Sequence, residues 1–177
     1  MNKPSVERSP SSIGDSISAV ASRSHVTSGI SDRTFVDTNV LIYAHDVDAG
    51  RTHAMAKGLL RELWTGRLGL LSTQVLQEFY VNVTRKIRKP LSTPEARAVV
   101  DTYAPWCVEG ITTADIAVAF RLEDQSRIGF WDALIVAVAA RSGARRVLSE
   151  DLNDGQVIAG VTIYNPFKEG TQSRPRR

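Results

Sequence analysis

An alternation constrains this chain more than any other feature. Short apolar runs, each too brief for a helix, recur between longer segments with helical periodicity. The run "TFVD" (34–37) passes directly into the helical stretch "NVLIYAH". "RTHAMAKGLLRELWTGR" repeats apolar residues at Met55, Leu59, Leu60, Leu63 and Trp64, a helix that stops near Gly66. "LGLLS" predicts a second strand. "TQVLQEFYVNVTRKI" carries Val75, Leu76, Phe79, Val83 and Ile87 at helical spacing and is ended by Pro90. "TPEARAVVDTYA" predicts a helix with Pro94 at its first position, and "WCVEGI" a strand. "TTADIAVAFRLEDQS" and "FWDALIVAVAARSG" predict two more helices, the second closing at Gly143. "RRVLS" and "VTIYNP" supply the last two strands. Strands joined through helices run parallel, with helices over both faces of the sheet. The expected class is α/β with a central parallel sheet.

Composition places this fold between two tails. Residues 1–33 are Ser-rich without a sustained apolar period and read as a disordered tail; 168–177 read as a basic disordered tail. The domain expected between them spans 34–167. The net charge of +3 invites a nucleic-acid reading, but the tails carry it. Residues 34–167 keep 14 Lys/Arg (22 less 8) and 15 Asp/Glu (19 less 4), a net of −1. Only local patches can therefore argue for a polyanion. The single cysteine, Cys107, excludes an intramolecular disulfide framework and a Cys-based zinc cage. The longest apolar run, "ALIVAVAA" at 133–140, is too short to span a bilayer, and no secretory leader is recognisable. No membrane association is expected.

Four acids fall where such folds place chemistry. Asp37 and Asp151 each follow a strand, and ligands of open parallel sheets collect beyond the carboxyl ends of strands. Each is equally what an ordinary helix cap or Asx-turn looks like. Asp132 opens a helix that is apolar all round and therefore buried. The helix dipole offers it about 0.3–1 kcal/mol, against several kcal/mol for desolvating an unpaired carboxylate. It needs a cation, such as Arg127, or an opening to water. Glu78 heads a polar stripe with Asn82, Arg85 and Lys89, ordinarily a solvated face. "RKIRKP" (85–90) is nevertheless the densest basic cluster in the folded part, so Arg85, Lys86, Arg88 and Lys89 are candidate RNA-backbone contacts. If the acids converge, two carboxylates about 5 Å apart repel by roughly 3 kcal/mol at an effective dielectric near 20. Such a cluster partly protonates or holds a dication, and all-oxygen ligands select Mg2+, or Mn2+ in its place, over Zn2+.

The ordered set "FVDTNVLIYAHD", "STQVLQEFYVNVTRK", "FWDALIVAVAARSGARRVLSEDLNDGQ" and "GVTIYNPF" resembles the PIN-domain ribonucleases, specifically the VapC-like toxins of bacterial toxin–antitoxin pairs. The resemblance implies a compact three-layer α/β/α sandwich, Mg2+-dependent endoribonuclease activity on an RNA substrate, a homodimer, a cognate antitoxin and a cytoplasmic location. Carried over residue by residue, it implies that Asp37, Glu78, Asp132 and Asp151 are the catalytic acids and metal ligands, Asp37 and Asp132 foremost. Thr38, Asn39 and Ser149 match positions that orient the carboxylates. Asp154 rivals Asp151 for the fourth place, and the "SED" frame favours Asp151. A water nucleophile predicts 5′-phosphate and 3′-hydroxyl products. His45 and His53 are expected at the surface, outside the chemistry. The rival readings are a catalytically silent PIN-fold module binding RNA or protein, and a Mg2+-dependent phosphotransfer domain. The second is disfavoured because Asn39 stands where a haloacid-dehalogenase-type site needs a second Asp. A dinucleotide-binding fold is disfavoured because no Gly-rich turn follows "TFVD".

Overall fold

Phe35 and Val36 have no solvent-accessible surface, and Val147, Leu148, Val161 and Ile163 have almost none. Strands covered on both faces are what the uninterrupted apolar runs require. The computed structural model describes residues 30–108 and 110–168; most of both expected tails lies outside the described residues. The elements are β1 (Thr34–Val36), α1 (Thr38–Tyr43), α2 (Arg51–Gly66), β2 (Gly69–Leu70), α3 (Thr73–Arg85), α4 (Thr93–Tyr103), α5 (Thr113–Ser126), α6 (Phe130–Arg141), β3 (Arg146–Leu148), β4 (Val157–Ile158) and β5 (Val161–Tyr164).

The strand order is β2-β1-β3-β5-β4. β1 runs parallel to both β2 and β3, and β3 parallel to β5. The chain leaves β1 for β2 on one side and later returns to place β3 on the other. The order therefore reverses at β1, and a crevice opens beyond the carboxyl ends of β1 and β3. The register sets Val36 against Leu148. One residue further on, Asp37 donates its backbone N–H to the Leu148 carbonyl at 3.0 Å and lies beside Ser149. The α/β sandwich with its sheet flanked by helices is as expected.

Helix termini follow their residues. Ser92 and Thr112 make reciprocal capping boxes with Glu95 and Asp115 at the starts of α4 and α5. α6 buries every residue from Ala133 to Ala139, each larger aliphatic contributing about 1.5–3 kcal/mol. It ends where Gly143 takes φ +73°, a conformation without steric penalty only for glycine; the Ala144 N–H then reaches the Ala139 carbonyl at 3.0 Å.

Four local expectations are corrected. The sheet is parallel except for β4, which pairs antiparallel with β5. Its two-residue turn places Ala159 and Gly160 both at positive φ, 50° and 78°, the backbone of a tight hairpin. "WCVEGI" forms no named strand: Ala104–Trp106 is a single 3-10 turn, and Cys107 makes one isolated parallel bridge to Leu71. Pro94 lies one place inside the first helical residue, Thr93. α3 stops at Arg85 instead of running to Pro90, because the N–H groups of Lys86 and Ile87 share the Asn82 carbonyl and Leu91 turns back onto Val83.

Candidate active site

Asp37 is 4% exposed and caps α1. Its Oδ1 accepts from the Thr38 backbone N–H at 2.6 Å, and its Oδ2 from the Ser149 hydroxyl at 2.6 Å and Asn39 Nδ2 at 3.3 Å. The cap reading and the site reading thus hold for one side chain. None of these donors carries a charge. Burial pushes the Asp37 carboxyl up to about 7, against the pull of the Ser149 and Thr38 hydrogen bonds and with further upward pressure from Asp132 and Asp151.

The other three acids face the same crevice from three different elements. Glu78, on α3, accepts from the Thr38 hydroxyl at 2.7 Å and from Gln74 Nε2 at 2.9 Å. Asp151 follows β3, accepts from Asn39 Nδ2 at 3.0 Å, and its N–H bonds the Ser149 hydroxyl at 3.2 Å. Asn39 therefore ties Asp37 to Asp151, and Thr38 ties α1 to Glu78. Asp132 is half-buried in the first turn of α6. Burial raises its pKa first, and the charges of Asp151 and Glu78 raise it further. No Arg127 salt bridge to Asp132 forms among the described residues. The acids sense one another's charge, as a shared crevice requires.

Asp154 stands apart, accepting from the Asn165 N–H at 3.0 Å and facing Lys168. His45 and His53 are not plain surface residues: each is partly buried, with Nδ1 2.9 Å from a backbone carbonyl, of Leu41 and Tyr43 respectively. His45 also packs edge-on against Phe79 and Tyr103. The basic run does not continue the α3 stripe. Arg85 is the last helical residue, Lys86, Arg88 and Lys89 lie beyond it, and Lys89 pairs with Asp48 at 2.8 Å. Two neighbours of the acids had no signal in the sequence: Gln74, buried with its Oε1 unpartnered, and Tyr43, whose hydroxyl bonds Glu150 beside Asp151. That bond, more than burial, pushes the Tyr43 phenol up to about 12.

A family model of the PIN domain matches residues 34–154. The chain belongs to the PIN-domain family. Two solved structures resemble this PIN domain. Mycobacterium tuberculosis VapC20, a sarcin–ricin loop cleaving toxin, is 22% identical with a TM-score of 0.50, the match covering 64% of this chain and 86% of that one. VapBC2 from Rickettsia felis, bound to a DNA fragment from its promoter, is 16% identical with a TM-score of 0.51, covering 75% of this chain and 97% of that one. Identities this low speak to the shared fold. A search of curated proteins finds no match.

The donors of this PIN domain have features for and against a hard cation. All are oxygens, Asp37 is buried without a cationic partner among the described residues, and Asn39 Oδ1 is buried with no hydrogen-bond partner. Against this, no three acid, histidine or cysteine side chains among the described residues lie close enough to hold one ion as they stand. The oxygen chemistry of the set fits a Mg2+-like ion, which would have to draw the carboxylates closer together than they stand.

Proposed function

We propose that this PIN domain is a divalent-metal-dependent endoribonuclease acting as the toxin of a toxin–antitoxin pair. One observation carries the reading: Asp37, Glu78, Asp132 and Asp151 come from four elements to one crevice at the reversal of strand order, and two of them are pushed up in pKa by burial and by their neighbours. Perturbed acids gathered in a crevice mark functional sites more often than structural ones.

Asp37, Asp132 and Asp151 would hold Mg2+ or Mn2+. Such an ion, when bound, supplies charge neutralisation at the scissile phosphate and lowers the pKa of water. The chain's own groups do the positioning. Ser149 and the Thr38 N–H fix both oxygens of Asp37, and Asn39 spans Asp37 and Asp151. Thr38 and Gln74 aim Glu78, which would orient the attacking water. Hydrolysis by water leaves 5′-phosphate and 3′-hydroxyl ends. Arg85, Lys86 and Arg88 are exposed and available to RNA phosphates, contacts that carry no sequence information.

A cognate antitoxin, a homodimer and a cytoplasmic location complete the reading. The Rickettsia felis VapBC2 structure supports a partner of that kind, and an antitoxin arginine would complement the acid crevice. No helix among the described residues is long and apolar enough to cross a membrane.

Replacing Asp132 by Ala is the test. It should abolish Mg2+-dependent RNA cleavage while circular dichroism stays native; retained cleavage removes Asp132 from the mechanism. The separation of the acids favours one alternative, a catalytically silent PIN-fold binding module. Titration calorimetry with Mg2+ or Mn2+ discriminates, because a silent module takes up no ion and cuts no RNA.

A further inference from the structure

Trp64 forms a ridge on the outer face of α2. Lys57, Arg61 and Trp64 follow one another at helical spacing and are exposed, while Ala56, Leu60 and Leu63 turn inward to the core. The indole is 45% exposed but braced: Trp106 lies 5.3 Å away, tilted by 33°, and Tyr103 meets it edge-on at 5.9 Å. Trp106 in turn lies on the backbone of β2, where a β-carbon on Gly69 would stand 2.5 Å from its ring. Trp64 is a wall of two hollows. One, of about 400 Å3, is also lined by Lys57, Arg61, His45 and Tyr103. The other, of about 380 Å3, is also lined by Arg33, Arg67, Gly69 and Trp106.

Two cations line each hollow, and no acid lines either. None of Arg33, Lys57, Arg61 and Arg67 has an ion-pair partner among the described residues; Arg33 Nη1 also passes the end of α6, 3.9 Å from where a β-carbon on Gly143 would stand. The acids nearest in the chain are engaged elsewhere. Asp32 faces Arg146 at 3.7 Å, Asp46 accepts from the Asp48 N–H, Glu62 has one oxygen buried, and Asp101 lines a separate groove with Tyr80 and Arg97. A folded part with a net charge of −1 thus carries a local basic strip with an indole at its centre. A simple anion would need one hollow only. In RNA each base lies between the phosphates on its 5′ and 3′ sides, and a base stacks on an exposed indole. We infer that a stretch of RNA outside the cleavage site crosses this ridge, one base stacked on Trp64, with the phosphates on its two sides held by Lys57 and Arg61 in one hollow and by Arg33 and Arg67 in the other. Arg33 precedes β1 and Asp37 follows it. The second hollow therefore lies at the amino ends of the strands whose carboxyl ends carry the acids, roughly 13 Å of strand away. A phosphate held there is not the one cut, so the strip adds affinity and leaves the chemistry alone. The inference rests on the ribonuclease reading for its ligand and adds a surface apart from both the acids and residues 85–88.

The experiment uses the full chain in EDTA with a fluorescein-labelled, mixed-sequence RNA oligonucleotide, followed by anisotropy across a salt series. Trp64→Ala should weaken binding roughly 5- to 100-fold, the range for losing one stacked base, and leave the salt slope as it is; Trp64→Phe and Trp64→Tyr should recover most of the affinity. Lys57→Ala combined with Arg67→Ala should instead flatten the slope by about two phosphate contacts. Both of those side chains are exposed, so the charge variant keeps the test valid if Trp64→Ala unfolds. In Mg2+ each variant should raise KM and leave kcat within about threefold. Affinity and slope within error of the parent in the charge variant overturn the inference. So does polyglutamate that binds as tightly as RNA with the same losses in the variants, since the ridge then seats an acidic protein segment. Adenosine 5′-monophosphate competing as well as RNA at equal nucleotide concentration also overturns it, because the site is then one for a free nucleotide. The two readings fail separately: cleavage with an unchanged KM in the variants removes the ridge alone, whereas Trp64-dependent RNA binding without any cleavage removes the nuclease alone.

Discussion

Asp37 and Asp115 are buried to the same degree, at 4% and 3% exposure, and both cap helices. Their surroundings differ in one respect. Burial would raise the Asp115 carboxyl, but Arg141 Nε donates to it at 2.7 Å, the Thr112 N–H and hydroxyl donate at 2.8 Å each, and the balance leaves its pKa below the usual value. Asp37 has hydroxyl, amide and backbone donors but no cation, and its charged neighbours are acids, so the balance goes upward. Asp115 is a satisfied buried charge that joins α5 to α6. Asp37 is hydrogen-bonded but has no cation beside it, held where the isolated protein would be better off without its charge. Natural chains keep such local conflict mainly at functional sites.

The largest effect expected is on turnover. Asp37→Asn and Asp132→Asn should each cut Mg2+-dependent RNA cleavage by on the order of a thousandfold, the loss seen when a group stabilising transition-state charge is removed. Asp115→Asn should leave cleavage per folded molecule within a few-fold. Equal losses in gel-based cleavage assays would erase the contrast.

The next effect concerns stability and pH. A carboxyl whose pKa is raised on folding keeps in the native state a proton that the unfolded chain has already lost. For Asp37 the window runs from about 4 to about 7. Metal-free stability should fall as pH rises through that window and level off above it, with a ceiling on the order of 4 kcal/mol for a shift of about 3 units. Asp37→Asn should therefore raise the melting temperature of the metal-free protein at pH 8 and make little difference near pH 4. It should also abolish the further gain that the proposed metal site predicts for the parent on adding Mg2+. A lower melting temperature at pH 8 would mean that the carboxylate is stabilising after all.

Asp115 should behave in the opposite sense. Its lowered pKa means that the ion pair stabilises at neutral pH and is lost as pH falls through the carboxylate range. Arg141→Ala should cost about 2–3 kcal/mol, less than the 3–5 of a fully buried pair because Arg141 is 35% exposed and partly screened. Denaturant titration at pH 7 measures it, and a change under 0.5 kcal/mol would deny the pair its structural role.

The smallest effect belongs to the basic run. Neutralising Arg85 should lower the salt dependence of RNA binding by about one phosphate contact. Lys89→Ala should lower it less, because Lys89 is already paired with Asp48. Equal slopes for the two would mean that the Asp48 pair gives way to RNA.

Much of this was legible in the residues. The strand–helix alternation predicted the sheet and its helical layers, and Asp37 and Asp151 could be set at strand ends from their apolar runs alone. Ala159 hid the β4–β5 turn, since a β-carbon is unfavourable at positive φ and only Gly160 marked the position. Pro90 suggested the end of α3, but the turn at Asn82 ended the helix sooner and carried Lys89 off the stripe to Asp48. Asp154 follows β3 within a few residues of Asp151; the "SED" frame favours Asp151 in the sequence, and the Asp154 bond to the Asn165 backbone sets the two apart in space.

The order of elements, the burial of α6 and the presence of acids at strand ends were decided within the primary structure, because hydrophobic periodicity and turn chemistry act over a few neighbouring residues. The meeting of Asp37, Glu78, Asp132 and Asp151 was decided only in three dimensions. It depends on which strand lies beside β1, on a Thr38–Glu78 hydrogen bond across 40 positions and on a Ser149–Asp37 bond across 112. Carboxylates repel, so nothing in their own chemistry draws them together. The packing of the apolar core holds them there.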